Sequence, residues 1–135
     1  MITYETSFPV RYYECDPMGI VHHSNYIRYF EIARDQMIAE WGYGMEKCAA
    51  DGLVFPVVSV NVKFRHSLYV GDIARVVASI KDLPLAKLTV HEVVYNQHGD
   101  LCAEGDVVLG FMNSETGRIM ACPDKFMEVL KANEK

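Results

Sequence analysis

The chain has 135 residues, half of them hydrophobic and 23% charged, with a formal net charge of −5. That length suits one domain, residues 1–135, with a single core, and the acidic balance argues against a nucleic-acid binder, which carries a basic stripe. No apolar run is long enough to span a membrane. The start, Met1-Ile2-Thr3-Tyr4-Glu5, lacks the basic-then-apolar pattern of a signal peptide, so a cytoplasmic location is expected.

The segment Thr3–Tyr13 reads as a strand, with Pro9 placing part of it at an edge or bulge. Asp16-Pro17-Met18-Gly19 has turn chemistry, because proline fixes φ and glycine permits a left-handed residue. A helix follows from about Ser24 to Trp41, capped by Ser24 or Asn25. Its stripe is Tyr26, Phe30, Ala33, Met37 and Trp41, widened by Ile27 and Ile38. Glu31, Arg34, Asp35 and Glu40 lie mostly off that stripe, and Glu31 and Arg34 are spaced to pair. Gly42 and Gly44 end the helix, and a short helical piece spans Met45–Ala50.

Sheet follows. Val58, Val60, Val62 and Phe64 alternate with Ser59, Asn61, Lys63 and Arg65, the period of a half-buried strand. Further strands are expected at Ile73–Leu83, Lys87–Asn96, Leu101–Met112 and Ile119–Cys122. Gln97-His98-Gly99-Asp100 reads as a hairpin turn. Pro123 starts a C-terminal helix whose buried residues are expected to be Met127 and Leu130. Strand, long buried helix, then antiparallel strands is an α+β order: one antiparallel sheet wrapped around a central helix. Its exposed faces and edges favour assembly with a second copy.

The four cysteines, Cys15, Cys48, Cys102 and Cys122, are widely spaced and form no C-x-x-C pair. They read as reduced thiols, mostly buried, and not as a zinc or redox motif. A metal site on His22, His23 and Asp16 lacks a further ligand pattern.

The richest stretch runs from Tyr13 to Tyr26. It sets the Asp16 carboxylate in a turn just ahead of a helix start, where free N–H groups and the positive dipole end can hold an oxyanion. Asp16 is too far ahead to cap that helix, so it either caps its own turn or acts on a substrate. Cys15 is a poor nucleophile, because the neighbouring Asp16 charge raises its pKa. Tyr13 and Tyr26 read equally as pocket wall or core. Lys63, Arg65 and His66 form the clearest basic cluster, suited to phosphate charges or to a solvated strand face.

The run Arg11-Tyr12-Tyr13-Glu14-Cys15-Asp16-Pro17-Met18-Gly19-Ile20-Val21, followed by His23, Tyr26, Tyr29, Phe30, Glu31, Ala33 and Arg34, resembles the hotdog-fold acyl-CoA thioesterases. Within them it is most similar to the 4-hydroxybenzoyl-CoA thioesterase group and its relatives associated with the Tol–Pal system. Val62-Lys63-Phe64-Arg65 with Val70-Gly71-Asp72 resembles that family's second strand and turn. The resemblance implies a hotdog fold and hydrolysis of acyl-CoA. Asp16 would attack the thioester or activate water. A backbone N–H at His23 or a neighbour would polarise the carbonyl, and the His23 side chain would assist. It further implies sites between subunits of a homodimer or homotetramer, and on that reading Tyr13, Gly19, Tyr26, Lys63 and Arg65 are the expected substrate contacts. Coenzyme A enters as part of the substrate, with no separate cofactor and no metal. Two other readings remain open, a hotdog enoyl-thioester hydratase or dehydratase and a non-catalytic acyl-CoA-binding protein.

Overall fold

The computed structural model describes residues 1–134. Alternation of small and β-branched residues makes β4 (Ile73–Ile80), β5 (Lys87–Tyr95) and β6 (Leu101–Asn113) the middle of an antiparallel sheet. Ala74, Val76, Ala78, Ile80, Leu88, Val90, Val94, Ala103 and Val107 all face the core. One edge is β1 (Ile2–Pro9), paired with β4. At the other, β3 (Val57–Phe64) pairs with β6, while β2 (Leu53–Val54) and β7 (Ile119–Met120) clasp the far end of β6. Gly105 lets β3 approach β6, since a Cβ there would run into the Asn61 carbonyl.

Against the inner face lies α1 (Ser24–Glu40), burying Tyr26, Tyr29, Phe30, Ala33 and Met37. The expected helix is present, with Trp41 just past its last turn. Helices α2 (Met45–Ala50) and α3 (Asp124–Ala132) close the end near β2 and β7. Phe126 and Leu130 anchor α3, where Met127 is only partly covered. Phe126 packs among Tyr43, Phe55 and Phe111 with ring centroids 5.1–6.0 Å apart.

Several expectations need correction. The first strand stops at Pro9, and Tyr12–Glu14 forms a short 3₁₀ turn, because Glu14 reaches back to Arg11 N–H at 2.8 Å and curls the chain. The strand from Ile73 ends at Ile80, and the one from Ile119 at Met120. Two of the four cysteines, Cys48 and Cys102, are buried, while Cys15 and Cys122 are partly covered. The strand at Val57–Phe64 is half-buried only in its middle, where Val60 and Val62 pack against the core, while Val58 and Phe64 at its ends are each 52% exposed. It is an edge strand, paired only with β6 among the described residues.

Arg34 is buried, and it pairs with Glu92 of β5 at 3.0 Å instead of with exposed Glu31. Glu92 is fully buried, and its Oε1 has no hydrogen-bond partner among the described residues. Burial pushes its carboxyl up to about 8, against the downward pull of the Arg34 guanidinium.

Candidate active site

The turn that carries Asp16 is built locally. Gly19 N–H donates to the Asp16 carbonyl at 2.9 Å, and Gly19 holds φ +80°, which its missing Cβ allows. Asp16 Oδ1 accepts from Met18 N–H at 2.8 Å and from Ile20 N–H at 3.4 Å. That is the side-chain turn capping common to Asp. Asp16 Oδ2 accepts from no protein group among the described residues. The carboxylate is therefore oriented through one oxygen and left open at the other.

The start of α1 is organised by His22, and neither Ser24 nor Asn25 caps it. His22 Nδ1 lies 3.3 Å from Ser24 N and 2.8 Å from Ser24 Oγ. The His22 carbonyl takes Asn25 N–H at 2.9 Å, and His22 N–H donates to Glu14 O at 3.0 Å. The partners of His22, Ser24 and Asn25 are thus accounted for. Between them, His23 N–H has no acceptor among the described residues, and His23 already has helical φ and ψ of −55° and −30°. A helix start leaves amides unpaired, and here three neighbours are satisfied and one remains.

Asp16 and His23 line a single cleft of about 220 Å³, walled also by Ile20, Val21, His22, Tyr26, Phe64, Arg65, His66 and Ser67. Phe64 stands edge-on to Tyr26 at 5.3 Å and to His23 at 6.4 Å between centroids. Burial pushes the Tyr26 phenol up to about 12, so it stays neutral. Burial first, then the Glu14 and Asp16 charges, raise the Cys15 thiol, which therefore does not supply a thiolate. Arg65 brings positive charge to the rim, shared with Glu104 at 3.2 Å, and His66 Nε2 lies 3.9 Å from Asp100.

Of the residues singled out from the sequence, Asp16, His23, Tyr26 and Arg65 meet in this cleft. Gly19 shapes the Asp16 turn without walling the cleft. Tyr13 lies outside it on the 3₁₀ turn, 79% exposed. Lys63 faces Glu104 across the strand pair, on the opposite side of β3 from Phe64. Sequence reasoning missed Phe64 as a wall, having read it as a strand residue, and missed the buried Glu14 behind the site. A larger apolar cavity of about 530 Å³ lies along the same α1–β3 seam, at the Val57 end, among Ile38, Met45, Leu53 and Phe55. It is remote in sequence from the Asp16 turn and holds none of the residues around the free amide.

The model of the thioesterase-like superfamily matches residues 10–130. This chain belongs to that superfamily. Among its thioesterase-like relatives, YneP of Bacillus subtilis, a provisionally assigned acyl-CoA thioesterase, is 35% identical over 92 residues, 68% of this chain and 67% of that one. The acyl-CoA thioesterase YbgC of Helicobacter pylori is 27% identical over 131 residues, covering 91% of this chain and 96% of its own. The solved DHNA-CoA thioesterase of Staphylococcus aureus superposes with a TM-score of 0.89 over 98% of this chain and 91% of that one, at 24% identity. At that identity the likeness speaks for the fold, and the fold is the hotdog.

Proposed function

We propose that this thioesterase-like protein hydrolyses acyl-CoA thioesters to the free acid and coenzyme A, with Asp16 and the His23 amide as its working pair. The observation that carries the reading is that His23, whose N–H has no acceptor among the described residues, lines the same cleft as Asp16, whose Oδ2 is likewise without a protein partner there. As the thioester carbonyl becomes tetrahedral, its oxygen gains charge, and an amide already free and fixed at the positive end of α1 stabilises it without reorganisation. Asp16 supplies the nucleophile. Its carboxylate either attacks the carbonyl carbon, expelling coenzyme A thiolate and leaving an anhydride for water to open, or takes the proton from a water that attacks directly. The exposed His23 ring stands beside the reacting group and assists.

Tyr26 and Phe64 offer the acyl group an apolar wall. Arg65 and His66 at the rim, with Lys63 on the other side of β3, favour the phosphate-bearing end of coenzyme A. The bare edge and exposed valines of β3 support a homodimer or homotetramer. Antiparallel addition of β3 to β3 of a second copy would bring the Val57 end of one protomer, with its apolar cavity, beside the Phe64 end and Asp16 cleft of the other. The four-residue turn and the amide are small enough to be tested separately from the side chains.

The test is His23→Pro beside His23→Ala. Proline adopts the φ found at His23 and removes both the N–H, which the fold does not use, and the ring, whereas alanine keeps the N–H and removes the ring alone, so the difference between them reports the amide. His23→Pro is expected to lower kcat on acyl-CoA by about 10²-fold, the usual weight of one oxyanion donor. The loss in His23→Ala is expected to stay below about tenfold, toward the weak end of assistance by a side chain. Equal kcat in the two variants would remove the amide from the mechanism.

A further inference from the structure

The residue on which the working pair leans is Glu14, which touches neither the cleft nor its solvent. Glu14 is 8% exposed, and five hydrogen bonds from outside the 3₁₀ turn's own ladder converge on its acceptors. Its Oε1 accepts from Tyr29 OH at 2.9 Å and from Arg11 N–H at 2.8 Å. Its Oε2 accepts from Arg11 Nη1 at 3.4 Å. Its main-chain carbonyl accepts from Asn25 Nδ2 at 2.7 Å and from His22 N–H at 3.0 Å.

These bonds have a common geometric effect. Glu14 precedes Asp16 by two residues, so whatever fixes Glu14 fixes the entry to the Asp16 turn. Its carbonyl holds His22, the residue just before the free His23 amide, and its carboxylate and carbonyl together grip Tyr29 and Asn25 on the first turns of α1. The loop carrying the carboxylate and the helix carrying the amide are thereby tied to each other through one buried residue, its side chain holding Tyr29 and seating the main-chain carbonyl that holds Asn25 and His22. Asn25 is itself held, since its Oδ1 accepts from Arg28 Nη1 at 3.1 Å. Burial strengthens such bonds, because water does not compete for the groups.

We propose that Glu14 is the positioning residue of this site, setting the distance and orientation between the Asp16 carboxylate and the His23 N–H through its bonds to Tyr29, Asn25 and His22. The proposal rests on the thioesterase reading for its kinetic consequence and on the hydrogen bonds alone for its geometric one. A misplacement of about an ångström between a nucleophile and an oxyanion donor costs rate while leaving the binding surface intact. Substrate affinity, held by the cleft walls and the basic rim, is thus predicted to be separable from turnover.

The experiment compares wild type, Glu14→Ala, Glu14→Gln and Tyr29→Phe, each assayed well below its melting temperature and corrected for folded fraction. Glu14→Ala is expected to lower kcat by roughly 30- to 100-fold with KM within about twofold. Tyr29→Phe, which deletes one hydroxyl and preserves packing, is expected to lower kcat roughly tenfold and keeps the test decisive where Glu14→Ala does not fold. Glu14→Gln retains an oxygen for Tyr29 OH and Arg11 N–H and is expected to recover to within about threefold of wild type. Amide hydrogen exchange supplies a second readout that needs no substrate. In Glu14→Ala and Tyr29→Phe the His22 and Asn25 amides are expected to exchange at least about tenfold faster, with β4 and β5 unchanged. A folded Glu14→Ala or Tyr29→Phe with kcat within threefold of wild type, or a Glu14→Gln as slow as Glu14→Ala, overturns the proposal. Should wild type release no thiol from any acyl-CoA, the thioesterase reading fails, and exchange decides the positioning role: unchanged protection at His22 and Asn25 overturns it, and local loss supports it.

Discussion

Replacement of Asp16 by Asn is expected to lower kcat for acyl-CoA hydrolysis by about 10³-fold, in the middle of the range for loss of a general base or nucleophile. The substitution is well matched to the site. Asparagine keeps an Oδ1 for Met18 N–H and Ile20 N–H, so the turn through Gly19 should survive. What changes is the free oxygen, which becomes an amide nitrogen able neither to attack a carbonyl nor to accept a proton from water. KM should move by less than about threefold, since the cleft walls and basic rim are untouched, so the deficit lies in the transition state. Steady-state thiol release against acyl-CoA concentration reads both constants. An Asp16→Asn enzyme within tenfold of wild type would return Asp16 to the role of a turn cap.

The second large effect is on stability. Glu92→Ala is expected to destabilise the fold by about 3 kcal/mol or more, because it leaves the Arg34 guanidinium buried without its partner and opens space under the sheet. Glu92→Gln keeps an acceptor for Arg34 and should cost far less. The pair also predicts a pH dependence whose sign follows from burial. The Glu92 carboxyl titrates near 8 in the folded protein against 4.5 for the ordinary group. Between those values the folded state holds a proton that the unfolded state has released, so stability from this group is full below 4.5 and is lost as pH rises through 8. Melting temperature should therefore fall across that window in wild type, and the part due to this group should vanish in Glu92→Gln. A Glu92→Gln curve parallel to wild type would show that the carboxyl ionises as an ordinary one.

What could be read in advance divides along a physical line. The Asp16–Gly19 turn, the helix from Ser24 and the alternating strands depend on neighbours within a few residues, and local chemistry announces them. His23 beside Asp16 was equally visible, because both lie on one short segment. Arg34 was misread because its partner is on β5, far along the chain, and only the packing of α1 on the sheet brings them together. A charge off the apolar stripe reads as solvated until its partner is known. Glu14 was passed over for a related reason, since its partners His22, Asn25 and Tyr29 are brought to it from the start of α1 by folding. The exposure of β3 has a different origin. Alternation marks a strand that can bury one face but not whether its own chain provides the cover, and here β3 ends the sheet. Lys63 and Arg65 looked alike in sequence, yet Lys63 lies on β3 on the side away from Phe64, while Arg65, just past the end of β3, pairs with Glu104 at 3.2 Å and lines the cleft.

The central claim is hydrolysis of an acyl-CoA thioester, and the most direct measurement is free-thiol release by the wild-type protein from a panel of benzoyl-, 4-hydroxybenzoyl-, acetyl-, hexanoyl-, palmitoyl- and crotonyl-CoA. Turnover of at least one ester is expected, with kcat/KM of about 10⁴ M⁻¹s⁻¹ or higher. Absence of thiol from every ester, with crotonyl-CoA hydrated and its thioester intact, would contradict hydrolysis and assign the cleft to proton transfer at the acyl chain.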